Sequence, residues 1–160
     1  MAEKPSIDYA KERPPKNIFP IEKQMLVLGQ IKNYIYHNLP PNTKFHRKRI
    51  FGSLAKGTFG KYERKWKGRK FSDVDVLFVV DDNFRPPPKW KVHFKAETKV
   101  WVVYDVDVVP IATEDETVFV DVQYIILTKT FASKPETIAR AEEWGIPLNK
   151  FLSKNKFIHL

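Results

Sequence analysis

The sequence predicts an α+β fold, a mixed or antiparallel β-sheet with helices packed on one face. Three observations carry this. Apolar runs of strand length, at 71–80, 100–109 and 117–127, alternate with polar or proline-rich turns. One early stretch repeats apolar residues at helical spacing. The C-terminal part then returns from a strand period to a helical one.

The 160 residues suit one principal domain. Residues 1–16 are polar and proline-punctuated and read as a tail, 17–128 as the core domain, and 129–160 as a short helical appendix. Pro20 fits the first turn of a helix, and Ile21, Met25, Leu28, Ile31, Ile35 and Leu39 recur on one face, so a helix is expected over 20–38 with that face as core. Pro40-Pro41-Asn42 ends it. Residues 44–51 read as a basic, half-exposed strand. Residues 52–70 read as a long loop with a helical turn after Ser53.

Residues 71–80 read as a central strand, because Val76 to Val80 are continuously apolar. A half-buried strand is expected at 89–95, where Trp90, Val92 and Phe94 alternate with lysines and His93. Strands at 100–109, stopped by Pro110, and at 117–127 follow. Ser133 with Glu136 makes a capping box for a helix to about 144, and a second short helix is expected over 147–154.

With 28 Lys and Arg against 19 Asp and Glu, the chain carries +9, which favours polyanionic partners such as nucleic acid or nucleotide phosphates; a plain lysine-rich surface is the blander alternative. The absence of cysteine excludes disulfides and thiolate metal sites. The four histidines show no ligand spacing. No apolar stretch spans a membrane and no signal-peptide core is present, so a cytoplasmic protein is expected.

The chemistry gathers around two segments. Asp73 and Asp75 stand two residues apart at the head of an apolar strand, on one face and about 7 Å apart. Isolated carboxylates in such surroundings are costly without a metal or a basic group. Upstream, the Gly52-Ser53 turn can offer N–H groups and a hydroxyl to phosphate oxygens. A third acid comes from another apolar run: Asp105 and Asp107 share a face, Asp121 is the remaining option, and the residues alone do not choose among them. Converging carboxylates on rigid strands are what a metal-dependent nucleotidyl transfer needs. Residues 61–70 interleave six basic residues with Tyr62 and Trp66, which suits phosphate contact with base stacking; a solvated loop is the alternative.

In order, Phe51-Gly52-Ser53-Leu54-Ala55-Lys56-Gly57-Thr58, Ser72-Asp73-Val74-Asp75-Val76-Leu77 and Val106-Asp107-Val108-Val109-Pro110 resemble the DNA polymerase beta-type nucleotidyltransferase superfamily. The nearest branch holds archaeal CCA-adding enzymes, oligoadenylate synthetases and bacterial cyclic-oligonucleotide synthases. The resemblance covers about residues 20–122 and implies a palm-like sheet. It implies that Gly52 and Ser53 hold the β- and γ-phosphates of a nucleoside triphosphate, with ATP favoured, and that Lys56 and Thr58 lie in the same nucleotide-binding segment. It implies that Asp73 and Asp75 bind two Mg²⁺ ions, with Mn²⁺ as a substitute. Asp107, preferred to Asp105 for the proline three residues on, would be the third catalytic and metal-binding acid. The implied reaction moves a nucleoside monophosphate to a hydroxyl, RNA being one candidate acceptor through residues 61–70, with release of pyrophosphate.

Two departures stand out. The segment between Ser53 and Asp73 is longer than the family pattern, and little chain follows the palm-like part. The expectation is therefore a minimal transferase, or a homodimer in which a second subunit completes the site. The competing expectations are a palm-like module that binds nucleotide or nucleic acid without turnover, and an antitoxin-type transferase acting on a protein partner.

Overall fold

A computed structural model of the chain describes residues 13–66, 68–95, 100–134 and 158–160, with the side chains at 93–95, 100, 102–107 and 159 outside that description. It is an α+β fold with two sheets. In chain order the elements are β1 (Lys16–Ile18), α1 (Ile21–His37), β2 (Phe45–Phe51), the short turn α2 (Ser53–Lys56), β3 (Gly60–Trp66), β4 (Arg69–Phe71), β5 (Val74–Val80), β6 (Val92–Lys95), β7 (Val100–Ala112), β8 (Thr117–Thr128), the turn α3 (Lys129–Ala132) and β9 (Ile158–His159). Six strands form the large sheet in the order β6-β7-β8-β5-β2-β9, and three form a small sheet in the order β1-β3-β4. Within the large sheet β5 and β8 run parallel, while the other described pairings are antiparallel.

The core lies on one face of the large sheet, under α1. Val74, Val76, Phe78 and Val80 alternate inward from β5, and Val118, Val120, Val122, Tyr124 and Ile126 do so from β8. Phe78 and Trp90 each stack on Tyr124, with ring centroids 5.3 and 5.1 Å away. Helix α1 meets this face through Val27, Ile31 and Ile35. The sequence reading placed Ile21 and Met25 in that face too, but both are 64% exposed. The buried stripe instead starts at Gln24, whose amide has a structural task described below.

Other differences have local causes. The helical turn expected after Ser53 is α2, but the rest of the segment read as a loop over 52–70 folds into the β3–β4 hairpin, whose turn uses Gly68 at φ +76°. β1, which begins at the last residue of the expected tail, Lys16, pairs with β3. Residues 71–80 are split, because Phe71 belongs to the small sheet and Val74 begins the large one. Lys89 and Trp90 lie in a turn ahead of β6. Pro110 does not stop β7, which continues to Ala112 opposite Thr117. β6 pairs only with Val100 to Val103, so beyond that point one edge of β7 lacks a described partner strand, and a residue without an N–H is tolerated there. Ser133 closes α3, its hydroxyl donating to the Thr130 carbonyl at 2.8 Å. The helices read over 133–144 and 147–154 lie, beyond residue 134, outside the described residues. Among the described residues no helix is long and apolar enough to cross a membrane.

The β3–β4 pairing extends through Gly60 to Ser72, which leads from the small sheet toward β5. The Gly60 backbone N–H donates to the Ser72 hydroxyl at 3.1 Å, and the Ser72 N–H donates to the Gly60 carbonyl at 3.0 Å. On the other side, a β-carbon at Gly60 would lie 2.1 Å from the Asn17 carbonyl oxygen, so β1 approaches β3 as closely as only glycine permits. Gly60→Ala is expected to destabilise the protein by about 1–3 kcal/mol, as overpacking does. Urea unfolding should show a lowered midpoint with an unchanged slope. An unchanged midpoint would mean that β1 does not pack there.

Candidate active site

The strand pairing brings three of the candidate segments to one place. β2 and β5 run antiparallel with Phe51 opposite Asp75, so the chain leaves β2 and turns at Gly52 directly beside the Asp75 carboxylate. Gly52 has φ +82° and ψ −147°, a conformation that is essentially glycine's own. A β-carbon there would lie 2.8 Å from Asp75 Oδ2. Glycine is thus required twice over, by the turn and by the carboxylate it faces.

The turn that follows is clamped. The Lys56 N–H donates to the Gly52 carbonyl at 3.0 Å and the Thr58 N–H to the Ser53 carbonyl at 2.9 Å. Gly57 caps α2 in the left-handed conformation at φ +74°. Its carbonyl accepts from Gln24 Nε2 at 3.0 Å, and the same nitrogen donates to the Phe19 carbonyl at 2.9 Å. A helix glutamine on the core face therefore fixes the Gly-Ser turn. The Ser53 hydroxyl makes a long 3.5 Å contact to the Asp73 carbonyl, tying the turn to the carboxylate strand. Lys56 is exposed and Thr58 half-buried.

Asp73 precedes β5, immediately after the anchored Ser72, and Asp75 is the second residue of the strand. Because β5 and β8 are parallel with Val74 opposite Val122, Asp73 lies at the register position of Asp121. Arg69 of β4 joins the two: Nη1 lies 3.1 Å from Asp73 Oδ2, and Nε lies 2.7 Å from Asp121 Oδ2. The third carboxylate that the described residues bring to the pair is therefore Asp121. Asp107 pairs through its Cα with Val122, a core residue, while Val108 pairs with Asp121. The side chains of Asp105 and Asp107 lie outside the described residues.

Asp75 differs electrically from its neighbours. Part of its side chain reaches solvent, yet among the described residues it has no hydrogen bond or ion pair. Burial, and next the charge of Asp73, push its carboxyl up to about 8. Arg69 and Lys56 act in the opposite direction without offsetting this. Two carboxylates at the head of one strand, one of them unpaired and resisting ionisation, form a hard oxygen donor set that a divalent cation such as Mg²⁺ or Mn²⁺ would relieve. Asp73 and Asp75 fit that use, while Asp121 is held by Arg69. Among the described residues no three His, Cys, Asp or Glu side chains are grouped to hold one ion.

The aromatics of residues 61–70 do not present open faces for bases. Tyr62 is buried, and Trp66 packs against Tyr62 at 5.6 Å and under the Arg13 guanidinium at 5.5 Å. Sequence reading also missed Gln24, Arg69 and Ser72. Ser72 was visible inside the carboxylate motif, but nothing in residue spacing signals that Gln24 or Arg69 folds back onto the site. The sequence matches no family model, and comparison with curated proteins and solved structures returned no match.

Gly52→Ala is expected to cost about 1–3 kcal/mol through backbone strain, to which the close approach to Asp75 adds, read as a lowered urea midpoint; wild-type stability in that variant would contradict both the strained turn and that approach. A second expectation concerns pH. Folding raises the Asp75 pKa from an ordinary 3.8 to about 8. Below about pH 4 both states are protonated and the group costs nothing. Between about 4 and about 8 the folded state keeps a proton that the unfolded state has released, so stability falls as pH rises, and above about 8 the full cost is present. In metal-free buffer Asp75→Asn should therefore melt higher than wild type near pH 9, with the gap closing toward pH 4. Equal melting temperatures across that range would show that Asp75 is not desolvated.

Proposed function

We propose that the protein is a metal-dependent nucleotidyltransferase that moves a nucleoside monophosphate from a nucleoside triphosphate, ATP being favoured, to a hydroxyl acceptor. One observation carries this reading: the Gly52-Ser53 turn, the strand-borne pair Asp73 and Asp75, and Asp121 from the parallel neighbouring strand meet at one end of the sheet. The resemblance of the Gly-Ser and Asp-x-Asp segments to the polymerase beta-type superfamily supports it.

Asp73, Asp75 and Asp121 would hold divalent cations, which when bound polarise the phosphates and lower the pKa of the acceptor hydroxyl. The backbone N–H groups of the clamped turn at Gly52 and Ser53, with the Ser53 hydroxyl, would bind and orient the terminal phosphates, and Lys56 and Thr58 border that turn. In the reaction the acceptor oxygen forms a bond to the α-phosphorus, and the bond from that phosphorus to the bridging oxygen of the β-phosphate breaks. Pyrophosphate leaves, and the acceptor proton passes to a carboxylate. Asp121 is the acid assigned that task, in place of the Asp107 expected from the family pattern. Arg69 holds Asp73 and Asp121 in position when no cation does so.

A second reading is favoured by Arg69 itself, since one guanidinium already neutralises two of the carboxylates. A palm-like module that binds nucleotide without turnover would use it in that way. Calorimetry separates the two, because the transferase should bind ATP much more tightly with Mg²⁺ than without, and the module should be indifferent to the metal.

The protein with labelled ATP, Mg²⁺ and mixed acceptors is expected to release pyrophosphate. Asp73→Ala and Asp75→Ala should reduce the rate by at least about a hundredfold, the scale of losing a charge-stabilising group. Asp121→Asn should do the same, while Asp107→Asn stays within a few-fold of wild type. The reverse order for these last two would return the third role to Asp107. Full release by Asp73→Ala and Asp75→Ala would end the transferase reading.

A further inference from the structure

We propose that a cleft beside the carboxylates seats the end of a single-stranded nucleic acid, which on the transferase reading above is the acceptor. The cleft, of about 400 Å³, lies between the β3–β4 hairpin and the β7–β8 hairpin, and at one end it reaches Arg69 and Asp121. Its size suits a nucleotide-sized body.

Two features define what it would take. The first is an open apolar platform. Phe119 is 54% exposed and Val108 56% exposed, and both line the cleft. Val108 is the register partner of Asp121, and Phe119 stands two residues before Asp121 on the same face of β8, about 7 Å away along the strand. A base stacked on the Phe119 ring would therefore place its own sugar beside the carboxylates. Tyr62 and Trp66, the rings that sequence alone pointed to, are already occupied by each other and by Arg13.

The second feature is unbalanced positive charge. The acids in the cleft are paired within the protein. Glu116 receives Lys23 at 2.7 Å and Lys61 at 2.9 Å, and Asp121 receives Arg69. Lys65 and Lys70 also line the cleft, both are exposed, and among the described residues neither has a carboxylate partner. An aromatic face flanked by uncommitted lysines matches a base joined to phosphodiesters, as in proteins that bind single strands by stacking and charge together. An acidic peptide would use the lysines and leave the ring uncovered, and a duplex would keep its base faces inside.

Fluorescence anisotropy on the full chain, in metal-free buffer without nucleotide, tests this. The probes are a fluorescein-labelled single-stranded RNA of about twelve nucleotides, the matching single-stranded DNA, their duplexes, and a labelled polyglutamate. A single strand should bind best, and comparing its RNA and DNA forms identifies the natural source. Phe119→Ala should weaken that binding roughly tenfold with the salt dependence unchanged. The double variant Lys65→Glu, Lys70→Glu should weaken it and flatten the salt dependence. Lys89→Glu with Lys91→Glu makes the same charge change at exposed positions that do not line the cleft, and should leave affinity within about twofold. Equal losses from the two lysine pairs, polyglutamate binding as tightly as the single strands, or a silent Phe119→Ala in protein with a native circular dichroism spectrum would each overturn the proposal. Strand binding without pyrophosphate release would retire the transferase reading and keep the cleft. Release without strand binding would retire the cleft and keep the transferase.

Discussion

β5 is hydrogen-bonded to β2 on one side, antiparallel, and to β8 on the other, parallel. The antiparallel side sets the end of β2 beside the head of β5, which is why the Gly52 turn lies against Asp75. The parallel side aligns the head of β5 with a matching point on β8, which is why Asp73 and Asp121 share a position. Neither contact is made by the residues themselves seeking one another. Both follow from two strand registers, and those registers are held by the inward row Val74, Val76, Phe78 and Val80 against its counterpart on β8. A shift of one residue would exchange this row with Leu77 and Val79 on the other face and break its packing under α1, so the core enforces the alignment of the acids.

The electrostatic arrangement is asymmetric. Asp73 and Asp121 share one guanidinium, while Asp75 faces the Gly52 backbone and, among the described residues, has no ion pair, the Arg69 and Lys56 charges acting on it only from a distance. A group left like this is a standing cost to the fold, and such costs concentrate at functional sites. The surroundings are more conventionally balanced. Lys23 of α1 and Lys61 of β3 both reach Glu116 in the turn before β8, and their ammoniums hold that carboxyl below the usual range. This ties helix, small sheet and β7–β8 hairpin together at the edge of the cleft.

Much of this was readable from the residues. The helix at 21–37, the central strand with its carboxylate pair and the helical turn after Ser53 are local patterns, set by spacing and by glycine. What escaped was non-local. The β3–β4 hairpin contains charged, outward-facing residues, so no alternation marks it, and β1 is too short to carry a pattern. Pro110 suggested a strand end because the sequence does not say that β6 stops short of it. Asp107 and Asp121 both sit in apolar strands, and a shared motif drew attention to the first. The register against β5 sets Asp121 level with Asp73, and register is a property of the assembled sheet.

The parallel pairing of β5 with β8 has a kinetic consequence. A parallel neighbour cannot be reached by a tight turn, so the chain must complete β6, β7 and the turn at Thr113 to Glu116 before β8 can dock on β5. The contact between Gly52 and Asp75 joins segments much closer in sequence and can form early in synthesis. Long-range pairings carry the larger loop-closure entropy and form later. The nascent protein would then hold the Gly52 turn against Asp75 for some time before Asp121 arrives. The bridge from Asp73 through Arg69 to Asp121 would form only as the large sheet closes, so a chain that fails to finish folding also lacks it.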